Sequence, residues 1–349
     1  MAEVVDNAPE AIRDVEELED LLSEPSSALV QYFRELEGDL AILGVGGKMG
    51  PTLARMAARA VEASGKPRRI TAVSSFSQAG LRERLETLGI ETVREDLLAP
   101  GAVERLPDAA NVVYMVGRKF GSTGAEWDTW ATNVLVAGRV AERYQTSRIV
   151  AFSSGNVYPF VPVDSGGATE ETPPSPVGEY AMSCLGRERM FDYWAHKAGT
   201  KVLHYRLNYA VELRYGVLVD LALKVLRGED INLSAGHFNV VWQGYANEVA
   251  LRGLALAGSP PAILNVTGLE TESVRETAER LGELLGRTPI FTGGEAPTAL
   301  LSNARRCHEH FGPPQYDIET IRTWIAQWLV SGGDLLGKPT HFEARDGKF

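Results

Sequence analysis

At 349 residues, with 44% hydrophobic and 23% charged residues, the chain has the composition of a globular protein long enough to bury a large core. A net charge of −11 without a long basic block argues against a nucleic-acid surface, and no uncharged apolar stretch approaches a membrane span. The start lacks the basic and apolar regions of a secretory leader, and two cysteines, Cys184 and Cys307, offer neither a disulfide framework nor a metal cluster. The expected class is a cytoplasmic enzyme or binding protein.

Residues 1–38 are acidic and predict two short helices, the first stopped by Pro25 and the second over 27–36, packed as an appendage on a domain edge. Leu40 to Leu43 then form an apolar run that reads as a buried strand. It leads directly into Gly44, Gly47 and Gly50 and a helical pattern from Leu53 to Val61. Strand, glycine turn and helix in this order suit a dinucleotide. One glycine permits the turn, one lets backbone approach a pyrophosphate, one lets the helix pack, and the helix N-terminus favours the anion. Gly44, Gly46, Gly47, Lys48, Met49 and Gly50 are therefore the expected cofactor-binding residues, with Lys48 turned to phosphate or solvent.

Strand patterns at 40–44, 69–74, 90–93, 111–116, 148–153 and 201–206 alternate with helical patterns at 49–64, 79–88, 125–143 and 177–198. That alternation predicts an α/β fold, a doubly wound Rossmann-type parallel sheet with helices on both faces. Beyond about 208 the alternation fades into helices at 215–227, 244–257, 271–286 and 317–330 with short strands such as 263–266. The expected division is an extension (1–38), a dinucleotide domain (39–208), a smaller substrate-binding lobe (209–334) and a tail (335–349). The tail is polar with two phenylalanines, either frayed or an arm across a neighbouring subunit.

An acid about 20 residues beyond the glycines usually binds the ribose of NAD. Here that place is Ser74 or Ser75, without a carboxylate to repel a 2′-phosphate, and Arg82 or Arg84 lies nearby. The cofactor is NAD or NADP, with a lean to NADP. Asp96 and Leu97 after the third strand, and Gly117 after the fourth, complete the cofactor set.

The fifth strand runs into Ser153-Ser154-Gly-Asn156-Val-Tyr158, and Tyr180 opens the next helix; Arg206-Leu-Asn208 follows the sixth strand, and Asn247-Glu-Val-Ala250 comes later. With the glycine turn, these residues resemble the extended short-chain dehydrogenase/reductase family, of the NAD-dependent epimerase/dehydratase type, over roughly 39 to 330. The turn alone is also similar to that of dihydrodipicolinate reductases, which bind nicotinamide cofactors. The resemblance implies that Ser154 polarises a substrate oxygen and Tyr180 exchanges its proton as hydride moves at the nicotinamide. It also implies a lysine four residues after the tyrosine, whose charge lowers the phenol's pKa. This sequence has Cys184 there, a neutral thiol unable to do so, or a candidate with a covalent role of its own. Lys48 or Arg187 is a candidate for the missing charge.

The expected substrate contacts are Asn156, Asn208, His237 and Gln243, with Trp242, Arg214 and Tyr215 also considered. His308 and His310, two residues apart, do not share a helix face, and no metal is expected. The expected partners are a small-molecule substrate and, through the helices bearing Trp127, Trp130 and Tyr180, a second copy in a homodimer. The chain thus reads as an NAD(P)-dependent oxidoreductase or epimerase acting on a sugar or other polyhydroxylated molecule. A non-catalytic dinucleotide sensor or scaffold is the alternative that Cys184 raises.

Overall fold

The computed structural model describes residues 8–119, 121, 123–338 and 340–348. Seven parallel strands form the central sheet: β1 (Leu40–Leu43), β2 (Ile70–Ser74), β3 (Glu91–Arg94), β4 (Asn111–Tyr114), β5 (Arg148–Ser154), β6 (Lys201–Leu207) and β7 (Ala262–Val266). Their spatial order is β3-β2-β1-β4-β5-β6-β7. Leu40 pairs with Ile70 on one side and with Asn111 on the other, so the order reverses between β1 and β4. Successive side chains of a strand point to opposite faces. Leu40 and Ile42 accordingly join one core, and Ala41 and Leu43 join the other.

Two helices precede the sheet, α1 (Val15–Leu22) and α2 (Ser27–Glu35), each capped by a side chain: Asp14 accepts from Glu17 N and Ser26 from Leu29 N. They are more than an edge appendage. Leu29 and Phe33 enter the core under the sheet, whereas Leu18 and Leu22 enter that of the second lobe. Next come α3 (Gly50–Ser64), ended by left-handed Gly65, and α4 (Leu81–Thr87). The long helix expected at 125–143 is divided into α5 (Glu126–Trp130), a π-helical turn over Ala131–Leu135, and α6 (Val136–Arg143). Hydrophobic period does not reveal the wide turn. It carries buried Asn133, whose amide bonds the backbone of Arg118 and the hydroxyl of Ser183.

Helix α7 (Gly178–Ala198) packs beside α6 and carries Glu188 into the core. There Arg206 of β6 grips the carboxylate through two bonds of 2.9 and 2.7 Å, Ser153 donates to it at 2.6 Å, and Arg206 also donates to Tyr158. Beyond β6 lie α8 (Val217–Arg227), α9 (Gln243–Arg252), α10 (Val274–Leu285), α11 (Arg305–Phe311) and α12 (Ile318–Val330). Residues 262–266, expected in the small lobe, instead add the seventh strand to the main sheet, with Leu264 opposite Tyr205. Likewise α9 packs on α3 through Ala246, Val249 and Ala250, which belong to the sheet's own core. The second lobe's core is α8, α10 and α12 around Trp242, Tyr316 and Trp324. The tail docks on its own lobe: Thr340 bonds Asp220 through both N and Oγ1, Phe342 is buried, and Arg345 donates to Thr298. Among the described residues no helix is long and apolar enough to cross a membrane.

Candidate active site

The three glycines after β1 do different work. Gly44 has φ of 90°, and its N–H and that of Val45 both donate to Val73 O at 2.8 and 3.2 Å. A Cβ at Gly44 would stand 2.8 Å from Val116 N and 2.9 Å from Met115 C, so the end of β4 closes directly on the turn. A Cβ at Gly50 would collide with Val45's carbonyl, which lets α3 start tight against the turn. At Gly47 a Cβ would meet nothing nearer than 3.5 Å, and the residue is exposed. Helix α3 opens with no side-chain cap and with Pro51 in its first turn. An open glycine beside an uncapped helix N-terminus is a cradle that suits a diphosphate. A cavity lies over it at the point where the strand order reverses, lined also by Met49, Gly117, Phe152, Tyr209 and Tyr215.

The remaining cofactor candidates divide. Ser74 Oγ accepts from Phe76 N at 3.3 Å and sits where a Cβ on Gly46 would collide with it, with Ser75 exposed beside it. Arg82 is engaged with Glu86 and Thr92 on the surface of α4. Asp96 is exposed and accepts from Leu98 N at 3.0 Å, closing its own turn. Leu97, by contrast, is buried in the sheet's core with Val73 and Val103. Lys48 does not turn to solvent. Its ammonium donates to Ala210 O at 2.8 Å and lies 4.2 Å over the ring of Tyr215, and burial pulls its pKa down to about 7.

At the end of β5 both serines are buried, Ser153 bonded to Glu188 and Ser154 turned the other way. Ser154 Oγ accepts from Asn156 N and donates to Asn156 Oδ1, both at 3.1 Å. Helix α7 opens at Gly178, whose φ of 83° and lack of a Cβ admit Gly347 of the tail against it. Tyr180 follows, its phenol near the side chains of Ser154 and Cys184, both of which act on its pKa. Burial, and then the nearness of Cys184, push the phenol's pKa well above its ordinary value, against the charge of Arg187. Cys184 is buried with Val157, Tyr158 and Ala168, and burial raises its pKa too, so the thiol is neutral.

Two cations approach this pair from other positions. Arg187, on the next turn of α7, lies underneath, donating to Phe152 O at 2.7 Å and Asn133 Oδ1 at 2.9 Å. Lys119, on the loop after β4, lies with Nζ 6.0 Å from the centre of the Tyr180 ring and donates to Thr340 O at 3.2 Å. Burial lowers its pKa to about 8. Sequence reading missed Lys119, since a loop has no periodicity to mark it. The usable signal was a basic residue just past the fourth strand, where the strand order reverses.

A second cavity shares Tyr209 with the first and is lined by Asn156, Tyr158, His237, Phe342 and Arg345. His237 Nδ1 is buried there without a partner. Arg345 stacks 4.2 Å from the centre of Phe160 and donates to Thr298 O and Oγ1 at 2.7 and 2.8 Å. Asn208 lines neither cavity: it is buried beside Tyr209, its amide reaching Leu300 O at 3.4 Å. Gln243 is a correction. It lines neither cavity, and its amide is buried against Thr52 of α3 at 3.1 Å, because it opens α9 on the side facing the sheet. Trp242 lies in the lobe core, and Arg214 is paired with Glu212 and Glu19. Among the described residues no group of side chains could hold a metal ion.

No curated protein matches the sequence. Solved structures of similar fold include MoeE5 in complex with UDP-glucose and NAD, 20% identical, covering 84% of this chain and 99% of that one with a TM-score of 0.68. The Thermus thermophilus UDP-glucose 4-epimerase with NAD is also 20% identical, covering 83% and 98% with a TM-score of 0.66. The Bordetella bronchiseptica enzyme WbmG with NAD and UDP is 16% identical, covering 87% and 99% with a TM-score of 0.69. Residues 40–214, which run from the first buried strand through the glycine turn, Ser154 and Tyr180, match the model of the NAD dependent epimerase/dehydratase family, and the chain belongs to that family of enzymes.

Proposed function

We propose that the protein is an NAD-dependent oxidoreductase or epimerase acting on a hydroxyl-bearing carbon of a sugar, with Ser154 and Tyr180 as its reacting polar pair. The observation that carries this reading is the nearness of the Tyr180 phenol at the start of α7 to Ser154 at the end of β5, two elements of the sheet whose β1 leads into the glycine cradle. A bound nicotinamide supplies the acceptor and donor of hydride. Ser154 holds the substrate oxygen, and Tyr180, reacting as its phenolate, takes the hydroxyl proton as the carbon loses hydride and becomes a carbonyl. In the return direction Tyr180 gives the proton back. Positioned proton transfer of this kind is worth roughly 10²–10⁴ in rate. The engagement of Arg82 with Glu86 removes one partner for a 2′-phosphate, which favours NAD over NADP. His237, Asn156 and Arg345 supply polar groups for the substrate.

The outer face of α5 to α7 exposes Tyr193 (54%) and Leu135 (48%) along a shallow apolar groove, and Trp127 (69%) is exposed on α5. Such a patch supports pairing with a second copy. Cys184 favours a second reading, a dinucleotide sensor without turnover. The test is a screen of nucleotide sugars, starting with UDP-glucose and UDP-glucuronic acid, on the wild type and Tyr180→Phe. The enzyme reading expects turnover that falls at least about 100-fold in Tyr180→Phe with NAD affinity unchanged. Undiminished turnover in the variant overturns the role of Tyr180, whereas NAD binding with no turnover across the screen supports the sensor.

A further inference from the structure

Helix α7 offers no cation one turn after Tyr180, where the family resemblance expects a lysine, because Cys184 fills that place. A phenol that gives up or receives a proton needs a positive charge to stabilise its anionic form. We propose that Lys119 supplies this charge from a different element, the loop after β4, as a positioning residue that acts through Tyr180. The inference rests on the reading of Tyr180 as the proton-transfer residue.

Three features of the geometry converge on this assignment. Lys119 lines the same cavity as the glycine turn, and its Nζ lies 6.0 Å from the centre of the Tyr180 ring. Its loop is anchored from below, since buried Asn133 in the π-helical turn accepts from Arg118 N at 2.8 Å and donates to Arg118 O at 3.0 Å. The ammonium is anchored from above by Thr340 O at 3.2 Å, and Thr340 is itself held by Asp220 through bonds of 2.8 and 2.6 Å. The tail therefore belongs to the site, placing a carbonyl where the cation needs an acceptor.

The charged and titratable groups around the pair act in known directions. Arg187 lowers the phenol's pKa, and its donors are engaged with Phe152 O and Asn133, which holds it in place as a constant background. Cys184 raises the phenol's pKa, and the thiol is in turn opposed by Glu188. Asp220 and Cys184 favour the charged form of Lys119, while burial disfavours it and leaves the pKa at about 8. The cation is thus present at neutral pH and is lost as pH rises through about 8. The 6.0 Å runs to the ring centre and sets the scale for the phenol oxygen: unit charges about 6 Å apart in an effective dielectric of about 20 change an ionisation constant by roughly 100-fold, or about 2 pH units.

The test replaces Tyr180 with a trifluorotyrosine, whose phenol titrates in the accessible pH range, and follows its ionisation by fluorine NMR. It uses neither substrate nor cofactor. The expected result is that Lys119→Gln raises the phenol's apparent pKa by up to about 2 units, and that Lys119→Arg, which stays charged at every accessible pH, brings it back to the wild-type value or below. An unchanged titration in Lys119→Gln, or an equal rise in both variants, overturns the assignment of Lys119. Failure of the Tyr180 reading shows separately, as turnover that survives Tyr180→Phe.

Discussion

The two glycines that bracket the start of the turn predict opposite consequences for the same substitution. At Gly44 an alanine is held at φ of 90°, a left-handed conformation that costs an L-residue about 1–2 kcal/mol. Its Cβ would also lie 2.8, 2.9 and 3.0 Å from Val116 N, Met115 C and Val116 Cα, backbone atoms of a strand end that cannot rotate aside. Overpacking of that kind costs a further ~1–3 kcal/mol. Gly44→Ala should therefore lose about 2–5 kcal/mol of stability in urea denaturation. Gly47→Ala meets nothing nearer than 3.5 Å on an exposed surface, so its stability should stay within about 0.5 kcal/mol of the wild type. The added methyl stands, however, where a diphosphate must approach the backbone. Losing one hydrogen bond to a charged group is worth about 1.5–3 kcal/mol, or roughly 10- to 150-fold in the Kd for NAD. Calorimetric titration with NAD alongside urea denaturation separates the two effects. A Gly47→Ala protein that binds NAD as tightly as the wild type would refute the cradle, and a fully stable Gly44→Ala would refute the packing argument.

Two further substitutions probe the frame around the site. Glu188→Gln leaves buried Arg206 without its carboxylate, whose two bonds measure 2.9 and 2.7 Å, and should cost about 3–5 kcal/mol. Burial raises the Glu188 pKa, but the bonds and charges of Arg206, His204 and Ser153 outweigh it and hold the carboxyl below its ordinary value. Its stabilisation is thus present above the ordinary carboxylate range and is lost as pH falls through the folded pKa. The wild type should lose urea resistance towards acid more steeply than Glu188→Gln, and parallel pH profiles would contradict the pairing. Leu135→Glu changes a side chain 48% exposed in the single chain, so it should leave the fold intact while shifting sedimentation to the monomer. An unchanged assembly would remove the α5 to α7 face as the interface.

Strands β1, β2 and β4 were legible because a strand buried on both faces reads as a largely apolar run, as in Leu40 to Leu43. Residues 262–266 carry the same kind of run at the sheet edge, and nothing local distinguishes a seventh parallel strand from a short strand of a second lobe. The segment from His237 to Gln243 misled for another reason. His237 faces a cavity, but the chain bends into α9 within six residues and turns Trp242 and Gln243 to the core. The glycine turn between β1 and α3, and the positions of Ser154 at the end of β5 and Tyr180 at the start of α7, were legible through spacing and family resemblance. Lys119 was not, because its role comes from the neighbours that topology gives it: Tyr180 lies 61 positions away, and Thr340 belongs to the tail.

The most direct test of the account is calorimetric titration of nucleotide-free protein with NAD⁺, NADH, NADP⁺ and NADPH. Micromolar binding of the NAD⁺/NADH pair, weakened in Gly47→Ala, is the predicted result. No binding of any of the four would mean that the glycine turn only joins a strand to a helix, and the proposed hydride chemistry would have no cofactor to act through.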